Sequence, residues 1–193
     1  IIGYSCIIIT IFLFAYSYLS TLFIVKRQIF LTSKKVDKDY CLILISDIHL
    51  GSNSEKHLKK ILDETKKIKA EAILISGDLI DSSSFDITKL NLFNQVKVPI
   101  FLVTGNHEYY LKKSNQTLKA LKSFNITLLD NITTVYKGLN IIGISDNIPI
   151  SKKISFVKKL NNGKLFNICL VHQPTIWHAI RDDIEIMFSG HTH

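Results

Sequence analysis

From residue 41 onward the sequence repeats one figure: a short aliphatic and β-branched run, a cluster of polar residues often with glycine, then a longer polar stretch. The apolar runs fall at residues 42–46, 72–76, 100–103, 139–145, 166–171 and 184–189. Stretches of helical length and polarity lie between them at 55–69, 87–96, 113–124, 151–160 and 175–181. Apolar runs without alternation predict strands buried on both faces, and their alternation with helices predicts an α/β sheet. Ligands of such sheets bind just outside the carboxyl ends of the strands, so the polar clusters there are where chemistry is expected.

Five of the six runs end in potential metal ligands. Asp47-Ile48-His49 follows the first, and Gly77-Asp78-Leu79-Ile80-Asp81 the second. Gly105-Asn106-His107-Glu108 follows the third, His172-Gln173-Pro174 the fifth, and Gly190-His191-Thr192-His193 the sixth. Asp47, Asp78, Asn106, His49, His172, His191 and His193 together offer carboxylates, one amide oxygen and imidazoles, with no thiolate. A mixed nitrogen and oxygen set of this kind suits Mn, Fe, Zn or Ni and argues against Fe–S clusters and Cu(I). It is too large for one catalytic ion that must keep an open position, and it suits two ions sharing a carboxylate about 3.5–4 Å apart. A lone D-x-H or H-x-H is an ordinary strand end. All five motifs in order at strand ends are a strong signal. His57 and His178 follow no strand end and read as surface or packing residues.

The order D-x-H, G-D-x-x-D, G-N-H-E, H-x-P, G-H-x-H resembles that of the calcineurin-like metallophosphoesterase family over residues 41–193. Residues 46–51 (SDIHLG) and 104–110 (TGNHEYY), with the N-terminal apolar run, are similar to its bacterial membrane-anchored branch. The resemblance implies a metallophosphatase-type β-sandwich flanked by helices and two divalent ions, Mn foremost. Asp47, His49, Asp78 and His193 would hold one ion. Asp78, Asn106, His172 and His191 would hold the other, with Asp78 bridging. His107 would stay off the metals and donate a proton to the leaving oxygen or stabilise negative charge. Glu108 or Asp81 would orient neighbouring groups. The implied reaction is attack on phosphorus by a hydroxide activated between the two metals, in a site left net positive by only two carboxylates. The family's chain continues past G-H-x-H into further strands.

Residues 1–25 carry no charge, and Lys26 and Arg27 follow at once. Twenty-five helical residues span about 37 Å against a hydrocarbon core of about 30 Å. The run exceeds a secretory h-region, and no cleavage site follows it. The prediction is a transmembrane helix over 1–25, a basic linker over 26–40 and the phosphoesterase domain over 41–193. Lys26, Arg27, Lys34, Lys35 and Lys38 on the near flank place the domain in the cytoplasm by the positive-inside rule. A start at Ile1 and a stop inside a motif read as a piece of a longer protein.

The net charge of +8 comes from dispersed lysines such as Lys56, Lys59, Lys60, Lys66, Lys67 and Lys69, the pattern of a solvated helix face. No nucleic-acid motif accompanies it. Cys6, Cys41 and Cys169 form no C-x-x-C pair and read as small buried thiols. The expected partners are therefore a membrane and a phosphate ester, with a lipid-linked ester suited to the tether. Two alternatives accompany this reading: a catalytically silent membrane-bound module of the same fold, and a UDP-2,3-diacylglucosamine pyrophosphatase-type enzyme of lipid A synthesis.

Overall fold

The computed structural model describes residues 2–20 and 23–192. The chain divides into two compact units, residues 1–32 and 33–193. In the first, helix α1 runs over Ile2–Ser20. Its window Gly3–Ser20 has a mean hydropathy of 1.6, and none of it is buried. Nineteen residues rise about 28 Å, close to the thickness of a hydrocarbon core. This helix is a candidate membrane span, shorter than the predicted 1–25: Ile1, Thr21 and Leu22 lie outside the described residues, and residues 23–25 are not helical.

The second unit is a four-layer α/β sandwich. One sheet has the order β1 (Leu42–Ile45), β2 (Ala72–Ile75), β3 (Ile100–Leu102), β4 (Thr127–Leu128), all parallel. The other has the order β5 (Ile132–Tyr136), β6 (Leu139–Ile144), β7 (Phe166–Val171), β8 (Ile186–Phe188), with only β5 antiparallel to its neighbour. Because side chains alternate across a strand, each run feeds two cores. Ala72, Leu74, Phe101 and Val103 meet Leu139, Ile141, Ile168 and Leu170 between the sheets. Ile73, Ile75, Ile100 and Leu102 point the other way, against Leu58 and Leu62 of α2 (Glu55–Lys66), Phe93, and Leu121 of α4 (Ser114–Leu121). Ile142, Ile144, Cys169 and Val171 face Val157 of α5 (Ile150–Leu160) and Ile180 of α6 (Trp177–Ile180). Full burial of such a side chain is worth about 1.5–3 kcal/mol, so a continuous apolar strand is satisfied only when both faces are covered.

Several local differences from the sequence reading have plain causes. Residues 87–95 form a 3₁₀ segment, capped by Asp86 through Thr88 N, and not an α-helix. β4 has only two residues, and α3 (Asn106–Tyr110) is a single turn that starts within the G-N-H-E motif. β5 pairs with β6 through a tight turn in which Lys137 and Gly138 take φ of 49° and 89°, the signs a type I′ hairpin requires. Of the cysteines only Cys169 is buried; Cys6 and Cys41 are exposed, which corrects the reading of all three as buried thiols. Burial pushes the Cys169 thiol up to about 12, so it stays a neutral packing group. The lysines of α2 are exposed while Leu58 and Leu62 are buried, as an amphipathic helix demands.

Candidate metal centre

The ends of β1, β2, β3, β7 and β8 converge on one edge of the sandwich. Past β1 the backbone stays beside the β2 loop: His49 N donates to Asp78 O at 2.9 Å and Leu50 N to Leu79 O at 2.8 Å. Within this stretch Asp47, His49 and Asp78 adopt φ of 54°, 50° and 52°, and His191 adopts 70°. These are left-handed conformations that cost a non-glycine residue on the order of 1–2 kcal/mol. Strain of this kind collects where function demands a side-chain direction the relaxed backbone does not offer.

Asp78 lies at the centre, with its side chain 2% exposed. Its Oδ1 accepts from His107 N at 3.0 Å, and its Oδ2 is 3.1 Å from His172 Nε2. Burial opposes ionisation of Asp78, but hydrogen bonds from His172 and His107 outweigh it and hold the carboxyl below its ordinary value. Gly105 passes so close that a Cβ there would lie 2.7 Å from Asp78 N, which only glycine avoids.

His172 is fully buried, and its Nδ1 lies 2.9 Å from Ser76 O. A carbonyl can only accept, so Nδ1 carries a hydrogen, which leaves Nε2 to present a lone pair to a metal or, without one, to carry a second proton. Nε2 faces Asn106 Oδ1 at 3.1 Å, Asp78 Oδ2 at 3.1 Å and His191 Nδ1 at 3.2 Å. Burial disfavours charge on His172, yet its bonds to Asp78 and Ser76 prevail and raise its pKa. Acceptors packed this closely call for a cation or a proton among them, and the residues present fit a divalent metal.

Among the described residues two groups could hold an ion: His49, Asp78 and His107, and Asp78, His172 and His191, with ligand atoms inside 4.8 Å in each. They share Asp78. In the first group His49 Nε2 is 3.8 Å from Asp78 Oδ2 and 3.9 Å from Asp47 Oδ1. His49 Nδ1 lies 3.4 Å from Asp81 Oδ2, while Asp81 Oδ1 accepts from Ser52 N at 2.9 Å, so Asp81 is placed to orient the ring. His107 Nε2 is 3.9 Å from Asp78 Oδ2, and its ring meets that of His49 edge-on at 4.7 Å. His107 is thus near enough to the first group for either role, ligand or proton donor. Its side chain is 37% exposed, the most open of the four groups in these contacts. His191 N reaches Asp47 Oδ2 at 3.1 Å, joining the last sheet edge to the first. His193, expected as a ligand, lies outside the described residues.

Glu108 is fully buried and accepts from three backbone N–H groups: Asp78 at 3.1 Å, Ile80 at 2.9 Å and Gly105 at 2.8 Å. It ties the β2 loop to the β3 loop, and burial pushes its carboxyl up to about 7. Sequence reasoning passed over Asp130, whose carboxylate accepts from Thr104 N at 2.9 Å and Thr104 Oγ1 at 2.8 Å. It also passed over Asp146, which accepts from Gln173, the neighbour of His172, at 2.9 Å and pairs with buried Lys153. Each carboxylate follows a strand, which is the signal that could have found it.

The calcineurin-like phosphoesterase family model matches residues 42–193. The chain belongs to that family. Among its phosphoesterase relatives is an uncharacterized metallophosphoesterase of Helicobacter pylori, 33% identical over 172 residues, or 82% of this chain and 46% of that protein. A Danio rerio transmembrane protein with metallophosphoesterase domain is 29% identical over 79% of this chain and 40% of its own length. The chain therefore spans about half the length, or less, of these phosphoesterase relatives. The crystal structure of TT1561 of Thermus thermophilus shares the fold, with a TM-score of 0.53 and 12% identity over 77% of this chain and 80% of that one.

Proposed function

We propose that this chain carries a metal-dependent phosphoesterase centre holding two divalent ions, on a domain tethered to a membrane by its apolar helix. The observation that supports it most is the sharing of buried Asp78 by two ligand groups, one of which sets acceptors against acceptors around His172 Nε2. Asp47, His49, Asp78 and His193 would hold one ion, and Asp78, Asn106, His172 and His191 the other. Bound divalent ions supply Lewis-acid charge for the phosphate oxygens and lower the pKa of the attacking water.

The residues themselves do the rest. Asp47 and Asp78 offset only part of the cationic charge, leaving the site attractive to a phosphate ester. Ser76 O holds the His172 tautomer that presents Nε2, and Asp81 steadies His49. His107, at the open side, would donate a proton to the departing ester oxygen or stabilise the negative charge there. Manganese is the first metal to test with this nitrogen and oxygen set. Metal analysis of the full-length protein after saturation with Mn²⁺ and gel filtration is expected to return two ions per chain; one or none would refute the reading. A panel of monoesters, diesters and lipid pyrophosphates assayed with Mn²⁺ would then define the substrate.

The tether rests on the exposed apolar helix α1 and on relatives named as transmembrane proteins. Lys26, Arg27, Lys34, Lys35 and Lys38 after it favour a cytoplasmic domain, and a membrane-proximal or lipid-linked ester is the substrate class that such placement suits. Removal of residues 1–25 is expected to leave a soluble protein that still hydrolyses a small chromogenic ester. Loss of folding on that deletion would mean that the helix packs into the domain.

A further inference from the structure

We propose that Asp130 is a positioning residue for the turn that carries Asn106 and His107, and that it governs metal affinity through Thr104 and Tyr109. The inference rests on the metal-centre reading above.

Thr104 precedes the turn and Tyr109 lies near its end on α3, and both converge on Asp130, just past β4. Asp130 Oδ1 accepts from Thr104 N at 2.9 Å and Oδ2 from Thr104 Oγ1 at 2.8 Å. Tyr109 OH lies 3.4 Å from the same Oδ2. Ser145, at the end of β6 in the other sheet, closes the cluster with its Oγ 2.6 Å from Tyr109 OH and 3.1 Å from Thr104 Oγ1. Asn131 Oδ1 holds Ser145 in turn, accepting from its N at 3.2 Å. The turn is thus gripped on both sides of Asn106 and His107 by one carboxylate and braced against the second sheet.

A carboxylate suits this place because the groups aimed at it are an N–H and two hydroxyls, and an ionised carboxyl only accepts. An amide would turn one of its two ends into a donor. Thr104 and Ser145 are buried, so a lost partner cannot be replaced by bulk water and the backbone must shift instead. The group displaced first is Asn106, whose Oδ1 stands 3.1 Å from His172 Nε2. Partners behind metal ligands typically change metal affinity by about 10–100-fold.

The test is a calorimetric Mn²⁺ titration of the full-length protein in detergent, at a temperature where every variant is folded. Asp130→Ala is expected to weaken one ion by about 10–100-fold. Tyr109→Phe should weaken the same ion by less, and Asp130→Asn should fall between the two. Thr133→Val removes a side-chain hydrogen bond to Asn140 within the β5–β6 pair and serves as the structural control. It is expected to lower the melting temperature and leave both affinities unchanged. Wild-type affinity in Asp130→Ala, or an equal loss in Thr133→Val, overturns the proposal. If Asp130→Ala does not fold, Asp130→Asn and Tyr109→Phe decide it on the same criterion. A wild type that binds a single ion overturns the two-ion reading alone, since the Asp130 comparison is then read on that ion. A wild type that binds none overturns both.

Discussion

Asp78→Asn is expected to lose at least one metal ion and to lower hydrolysis by about 10³-fold or more, since loss of one charge-stabilising group alone typically costs about 10²–10³-fold. Asparagine keeps the shape of the side chain and one acceptor, so the fold should survive. It loses the charge and one of the two oxygens that face different neighbours: Oδ1 toward His107 N, and Oδ2 toward His172, His49 and His107. A buried carboxylate in that position is the residue both ligand groups need. Metal content by elemental analysis and turnover on a small ester are the measurements. Two ions with near-normal turnover in Asp78→Asn would show that the groups do not share this residue.

His107→Ala separates the two roles its position allows. If His107 delivers the proton to the leaving group, both ions remain and the rate on a poor leaving group falls by about 10²–10⁴-fold. The deficit should shrink for a nitrophenyl ester, whose leaving oxygen needs little protonation as the bond breaks. An emptied metal site in His107→Ala would assign the residue to the first ion, with His49 and Asp78. An unchanged rate on poor leaving groups would make it a packing partner of His49 and Tyr110, whose rings it meets at 4.7 and 5.7 Å.

The central strands behind the site were legible because burial on both faces leaves a nearly unbroken apolar run. Ala72–Ile75 and Phe166–Val171 are buried nearly throughout, and the polar residues after each run mark its end. β5 escaped notice because it is an edge strand whose inner and outer residues mix, with Thr133 and Thr134 part-buried and Val135 exposed. β4 is too short to leave a pattern. The convergence of Asp47, Asp78, Asn106, His172 and His191 could be inferred, since parallel strands bring their carboxyl ends to one edge. The cluster around Asp130 could not, because Thr104, which Asp130 holds, and Ser145, which braces Thr104, come from two different sheets. No spacing rule announces left-handed backbone at an aspartate or a histidine either; that becomes visible only once the β1 and β2 loops lie side by side.

That backbone has an evolutionary consequence. At residues 47, 49, 78 and 191 the side chain proposed for metal binding and the residue favoured by the main chain are different, since glycine would relax the left-handed backbone at each position. If these residues hold metal as proposed, relief of the backbone strain favours glycine at them wherever selection for metal binding is absent. Under that proposal, intact aspartates and histidines at strained positions mark a working site better than the presence of the fold does.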